Sequence, residues 1–518
     1  MPDCAPGDAA APPADITQPT PDVTEEVSAD SEASPCEPCQ PSEITAEHWL
    51  DPSALTPDLE RTAGNPLKGF ITSYLWGEPS NDLEDSMEFI YLPMSAVWDE
   101  TGATFESGLE PLLDAAADRE HQVVLRIYID YPTKENGLPP HILSAIGCTA
   151  YPEHGGGCSP NYDHPMLLEA MLGLIEALGL QYDGDPRLGV LQMGLLGFWG
   201  EWHTYPHTDY FASLETQNAI LHATDQAFEI TALQARYPKA DTVSLRFGFH
   251  DDSFAHSTLG EIGWFFWPSM VAAGADGRWQ EVMMGGELRP ELQGSIFEDG
   301  YETGEYAQDL QTCVDTTHAS YLLNYKAFSE SGVGYQGDEL VKAKEASLKM
   351  GYTFEVKGAS LTLSGLTESE VKATVEVTVA QTGVAPFYYP VFLTAEVSGG
   401  ETVATSDDDL RTLLPGEERT VVLELGETPQ ESVAGGLGLR LMSGAVLASQ
   451  EIRFGTTSPW TDDSSPLQLQ WPLTCDTSSG PLALGAIELV EGQDCPCRCD
   501  VDGVARTCSG ATCSAPQE

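Results

Sequence analysis

The sequence predicts an α/β chain: a (β/α)₈ TIM barrel followed by an all-β, immunoglobulin-like sandwich. A disordered tail is expected before them and a cysteine-rich tail after them. Three observations carry this. From residue 61 to 355, buried-type apolar runs alternate with stretches of helical spacing, the pattern of parallel βα units. From 356 to 455 the pattern becomes short alternating runs separated by turn residues, such as Pro415-Gly416 and Ser443-Gly444. Residues 1–60 are rich in Pro, Ala, Ser, Thr and acid, with no Lys or Arg before Arg61, which reads as a solvated tether. Residues 456–518 read as a linker and a cysteine-rich module.

Taken in order, the barrel begins at Asn65-Pro66-Leu67-Lys68-Gly69-Phe70 and continues into Ile71–Trp76 as a first strand. Phe89–Trp98 is a second. Leu109–His121 has helical spacing and leads into Gln122–Pro132, where Arg126, Tyr128 and Asp130 alternate onto one face. Residues 132–164 form a long loop, and long loops in this fold are normally functional. His164–Leu180 is an amphipathic helix stopped by Tyr182–Pro186. Leu188–Phe198 is the fourth strand. Leu214–Gln234 is expected to be helical, with Asp241–Phe254 as the fifth strand ending in His250, Asp251 and Asp252. Glu281–Leu288 and Ala319–Phe328 are further strands, and the helix Asp338–Gly351 follows. The count reaches eight in two ways. Either Gly263–Pro268 is a short strand and Glu287 follows strand seven, or Gly351–Val356 closes the barrel and Glu287 follows strand six.

Composition narrows the class. The 518 residues carry 81 acidic and 23 basic side chains, a formal charge of -58, which argues against nucleic acid or anionic membrane as partners. The excess suits a secreted protein or one working at high salt. No stretch approaches the roughly 20 apolar residues of a transmembrane segment. Twelve cysteines fall into groups: Cys4, Cys36 and Cys39; Cys148, Cys158 and Cys313; and six from Cys475 to Cys513. Cys148 and Cys158 flank one surface loop and are expected to pair. The last six read as a disulfide-stapled module rather than a zinc knot. These features place the chain in an oxidising, extracytoplasmic compartment, secreted or tethered at the cell surface. The start shows no leader pattern, so a signal peptide is expected to be removed or to lie outside this chain.

The chemistry centres on Leu188–His207. Its apolar run breaks at Gly197 and Gly200 and delivers Glu201 between Trp199, Trp202 and His203. A carboxylate at the C-terminal end of a buried parallel strand is where a barrel keeps its active site. Burial against indole is expected to raise its pKa, as a general acid requires. With Glu287 at another strand end, the chain holds the two carboxyl groups that glycoside hydrolysis needs. Asp130, Asp251, Asp252 and Glu261 compete for the second role. Arg126, Asp130, His203, Tyr205, His250, Asp251 and Asn324 are expected to contact sugar hydroxyls. Trp98, Trp199 and Trp202 are the expected stacking platforms. A rival reading converges His203, His250, Asp251 and Glu201 on one divalent metal ion, although no metal-ligand spacing is present. Phosphate-loop and serine-elbow motifs are absent, so nucleotide and serine-hydrolase readings fall away, and no cofactor is expected.

Five segments in order, 65–70 (NPLKGF), 126–132 (RIYIDYP), 197–206 (GFWGEWHTYP), 248–254 (GFHDDSF) and 285–287 (GGE), together with 382–390 (TGVAPFYYP), resemble a group of bacterial proteins known as domains of unknown function. Their barrel is similar to clan A of the glycoside hydrolases and is followed by a β-sandwich. The resemblance covers roughly residues 62–455. It implies a retaining O-glycosyl hydrolase with the acid/base at the end of strand four, matched by Glu201, and the nucleophile at the end of strand seven. Glu287 matches the second position under the first strand count. Gly200 stands where the clan usually has Asn. The partner implied is a carbohydrate: an oligo- or polysaccharide or a glycoconjugate. A non-catalytic carbohydrate-binding barrel is the alternative of a different class.

Overall fold

A computed structural model describes residues 44–328, 332–364, 370–397, 400–429, 436–461 and 466–470, and the backbone of 497–501, 504–509 and 512–514. Eight parallel strands follow one another around a barrel: β1 (Gly69–Ile71), β2 (Met87–Pro93), β3 (Gln122–Tyr128), β4 (Leu188–Gln192), β5 (Ala232–Ala235), β6 (Phe247–Phe254), β7 (Met284–Leu288) and β8 (Tyr321–Leu323). Helices α1 (Glu110–Asp118), α2 (Pro165–Tyr182), α3 (Leu214–Ala227), α4 (Phe266–Ala272), α5 (Leu310–Thr317) and α6 (Asp338–Lys349) return the chain between strands. Their starts follow from sequence. Ser213 and Asp309 accept from the backbone of Thr216 and Thr312 at 3.3 and 2.8 Å, and Pro165 opens α2 where its missing N–H costs nothing.

Three parts of the expected strand count change. β5 is Ala-Leu-Gln-Ala, which the sequence places at the end of a helix; α3 stops at Ala227, and a strand follows. Gly263–Pro268 is not a strand, since α4 begins at Phe266. Residues 354–364 belong to another sheet, so they do not close the barrel. Glu287 therefore lies on the seventh strand, for a reason neither count contained.

β1 and β2 meet only through a Thr72–Glu88 bridge, with the Phe89 amide donating to Thr72 at 2.7 Å. Residues 72–86, which connect the two strands, form no α-helix but a 3₁₀ turn at Tyr74–Trp76. A charge cluster built on the buried Glu88 and His121 stands beside the bridge. Arg119 donates twice to Glu88, at 2.8 and 3.1 Å, and the His121 ring lies 3.2 Å from Glu88 and 3.4 Å from Asp85.

Two antiparallel sheets follow the barrel. One contains β9 (Phe354–Ser364), β10 (Glu370–Gln381) and β13 (Glu418–Pro429); the other contains β11 (Phe392–Val397), β12 (Glu401–Thr405), β14 (Leu437–Met442) and β15 (Leu467–Leu469). The strand Ile44–Trp49 pairs with β9, so the expected tether gives way to ordered backbone before residue 60. The backbone strands 497–501, 504–509 and 512–514 extend the same sheet. Cys4, Cys36, Cys39, Cys475 and Cys495 lie outside the described residues, as do the side chains of the last four cysteines, and so does their pairing.

This all-β part caps the N-terminal end of the barrel. The Tyr389 hydroxyl donates to Gly189 at the start of β4 and accepts from Ala232 at the start of β5, at 2.7 and 2.8 Å. Gln122, at the start of β3, donates to Ala445 at 2.7 Å. The opposite mouth is left to the βα loops. Among the described residues no helix is long and apolar enough to cross a membrane.

Burial works against a charged His121, but Asp85 and Glu88 outweigh it and lift the ring to about 9 from its ordinary 6.5. A folded pKa above the unfolded one adds stability below about pH 6.5 that is lost as pH rises through about 9. His121→Gln should therefore cost about 2 kcal/mol in urea unfolding at pH 6 and markedly less at pH 10.

Candidate active site

At the C-terminal mouth the loops enclose a cavity of about 1070 Å³. Its walls combine aromatic faces, including Trp76, Tyr91, Tyr131, Trp199, Tyr237 and Trp264, with Arg126, Glu201, Arg236, Asp252, Glu287 and Arg289.

Glu201 reaches the cavity because the chain folds tightly after β4. Gly194 passes so close to β3 that a Cβ there would lie 2.0 Å from the Ile127 carbonyl. Gly197 has φ +81°, and its Cβ would lie 2.5 Å from the His203 carbonyl. The Phe198 amide donates to His203 and the Glu201 amide to Phe198, both at 2.8 Å. Trp199 and Trp202 adopt positive φ values of 54° and 60°, which bulky residues rarely take. Such backbone persists where its surroundings over-determine it.

The carboxylate then meets two guanidinium groups. Arg236, just after β5, pairs with Glu201 Oε2; Arg126 Nη1 lies 3.7 Å from Oε1, and His203 Nε2 lies 3.4 Å from Oε2. Asp252, on β6, joins both arginines, at 3.0 Å to Arg126 and 2.9 Å to Arg236, and lies 2.8 Å from His250 Nδ1. Below them a polar layer replaces the usual apolar filling: Gln192 accepts from Arg126 at 2.9 Å and donates to the Tyr321 hydroxyl at 2.9 Å. Burial favours the neutral form of both acids. For Asp252 the Arg126, His250 and Arg236 charges prevail and hold it well below its ordinary range. For Glu201, Arg236, His203 and Arg126 outweigh burial and the Asp252 charge, and its pKa falls rather than rises. The raised value expected from indole contact is therefore not found, because guanidinium groups and not indoles surround the carboxylate.

Glu287 behaves oppositely. It is half-buried on β7, in the same cavity. Burial, followed by the Asp252 and Glu201 charges, lifts it to about 8 from 4.5. One carboxyl is thus ionised and the other protonated at neutral pH.

Of the other expected site residues, Arg126, Trp199, His203 and Tyr205 line the cavity. Trp98 packs instead beside Gly173 of α2, and Trp202 is 2 % exposed with its indole donating to Gly194 at 3.1 Å. Asp130 is buried and accepts from Tyr151 at 2.6 Å, anchoring the 132–164 loop. Asn324 is buried and donates to the Tyr335 hydroxyl at 3.2 Å. His250 lies fully buried behind Asp252. Asp251 turns away from the barrel interior and accepts from Thr258 at 2.7 Å, because neighbours on a strand point to opposite faces. Its neighbour Asp252 holds the place expected of Asp251. Cys148 and Cys158 are paired, with Cα atoms 5.4 Å apart, and their loop brings His154 to the cavity wall. Cys313 is a buried free thiol.

Sequence reasoning missed Arg236, Tyr91, Tyr131, Gln192 and Tyr237. Arg236 was hidden by the unrecognised β5; Tyr91 alternates with Phe89 on β2, a signal that was available. Among the described residues no group of three or more His, Cys, Asp or Glu is arranged to hold a metal ion. The acids of the rival metal reading are taken up by Arg126, Arg236 and Thr258.

No family model matches the chain, and no curated protein matches it. Among solved structures it is similar to endo-glycoceramidase II from Rhodococcus sp., at 12% identity over 70% of this chain and 97% of that one, with a TM-score of 0.36. The complex of that protein with ganglioside GM3 gives 11% identity over 70% and 97%, with a TM-score of 0.31. A conserved exported protein from Bacteroides fragilis gives 8% identity over 71% and 99%, with a TM-score of 0.26. Likeness at this level transfers neither fold nor activity, and the barrel rests on its own strand pairing.

Proposed function

We propose that the chain is a glycoside hydrolase acting through Glu201 and Glu287. The observation that carries this reading is a single aromatic-walled cavity whose two strand-end carboxyl groups are held in opposite protonation states. Cleaving a glycosidic bond needs a proton for the leaving oxygen and a carboxylate on the anomeric side, and environments that separate two pKa values mark those roles. Glu287 is the proton donor. Glu201 is the carboxylate, reacting through Oε1, since Oε2 is engaged by Arg236. These roles invert those that the resemblance to clan A implied. In the retaining route, Oε1 bonds to the anomeric carbon as the C–O bond breaks and Glu287 gives its proton to the departing oxygen. Water, deprotonated by Glu287, then displaces Glu201. Residues 61–355 form the catalytic domain, and residues 356–455 an immunoglobulin-like accessory whose contacts lie at the far end of the barrel. The setting is extracytoplasmic, consistent with the disulfide.

A second reading, a carbohydrate-binding barrel without turnover, is favoured by the engagement of Glu201 with two arginines. Glu287→Gln and Glu201→Gln separate them. Under the catalytic reading each lowers kcat about 10²- to 10⁴-fold on the substrate found by screening aryl glycosides, while binding is largely kept. Under the binding reading the wild type turns over none of them.

The pH profile adds a signed test. Activity should fall as pH rises through about 8, where Glu287 loses its proton. Asp252→Asn removes a negative charge beside Glu287, so the alkaline limb should move to lower pH; an unmoved limb would assign it to another group. Reducing the Cys148–Cys158 bond should raise KM more than it lowers kcat, since the loop it closes supplies wall and not carboxylate.

A further inference from the structure

The cavity does not end at its carboxyl groups. Trp264, in the loop after β6, lines it and is nevertheless 62% exposed. Its ring meets Phe265 edge-on at 4.7 Å, and Phe265, itself buried, meets Tyr306 at 5.6 Å. Tyr306 is 44% exposed and belongs to the loop after β7. The two loops are fastened to each other: the Gln308 side chain accepts from Leu259 N at 2.9 Å and donates to Leu259 O at 2.6 Å, and the Gln308 amide donates to Ala255 at 2.7 Å. Phe265 is thus a fixed backing that holds two solvent-facing rings at the rim beside the strand of Glu287. Two exposed rings held on one buried ring at a cavity rim make an apolar surface of the kind that marks ligand grooves.

We infer that Trp264 and Tyr306 form an outer binding platform for a neutral glycan chain, one that extends past the cavity. This rests on the glycoside reading of the same site. Stacked rings suit the apolar face of a pyranose. The surroundings select against anionic sugars: Glu261, Glu302 and Glu305 are exposed on these loops, and Arg289, which lines the cavity, donates to Glu291 at 3.0 Å. A carboxylated or sulfated chain would meet acidic side chains on these loops, and the Arg289 guanidinium at the cavity wall is already paired with Glu291. The substrate is therefore an uncharged oligo- or polysaccharide longer than the cavity holds.

Calorimetric titration of the full-length Glu287→Gln protein tests this. The ligands are neutral gluco-, manno-, xylo- and chito-oligosaccharides of increasing length, and galacturonate oligomers as the anionic set. In one neutral series affinity should climb roughly three- to tenfold once the chain outgrows the cavity. Trp264→Ala in the same background should remove that climb, weakening the longer ligands more than the shortest, and Tyr306→Ala, which lies outside the cavity lining, should remove part of it and leave the shortest ligand's affinity unchanged. A climb that survives Trp264→Ala overturns the platform alone. Galacturonate binding as tight as the neutral series overturns the charge selection. Binding by no series overturns the glycoside reading itself.

Discussion

Asp252 shares its carboxylate between Arg126 and Arg236, and the electrostatics of the mouth follow from that sharing. Two guanidinium charges inside a barrel are tolerable only if they are compensated, and Asp252 and Glu201 supply two negative charges in return. The balance is then complete. Glu287, arriving from β7 as a third acid, finds burial, two negative neighbours and no unpaired cation, so it keeps its proton. The difference between the two carboxyl groups thus follows from which of them meets the guanidinium groups directly and which is left to burial and like charge.

The ends of the barrel divide the work. The N-terminal end is sealed by the all-β part, where Tyr389 satisfies the backbone of β4 and β5. That seal ties down the starts of β4 and β5, the strands that lead to Glu201 and Arg236. The C-terminal end is shaped by loops fastened by a disulfide, by the Asp130–Tyr151 hydrogen bond and by Gln308. The aromatic walls are therefore positioned before any ligand arrives, which lowers the ordering cost of binding.

Much of this was legible in the sequence, and the failures have physical causes. The strands of the barrel with continuous apolar runs declare themselves by burial on both faces, and the break at Gly197 and Gly200 marks the Glu201 loop. β5 does not: Ala-Leu-Gln-Ala contains no β-branched residue, and its neighbours, not its propensity, make it a strand. Missing it hid Arg236 and with it the cause of the low Glu201 pKa. Asp251 and Asp252 exchange roles because one residue of register turns a side chain to the other face. Tryptophan content around Glu201 was visible, but not direction: Trp199 faces the cavity, whereas Trp202 turns into the core and bonds Gly194.

The most direct test is titration of the Glu287 carboxyl itself, by infrared difference spectroscopy of the wild type against Glu287→Gln. The account requires a protonated-carboxyl band, absent from the variant, that persists at neutral pH and disappears with a midpoint near 8. A band lost near pH 4.5, the ordinary range for glutamate, would contradict the charge balance and leave Glu287 without a proton to give.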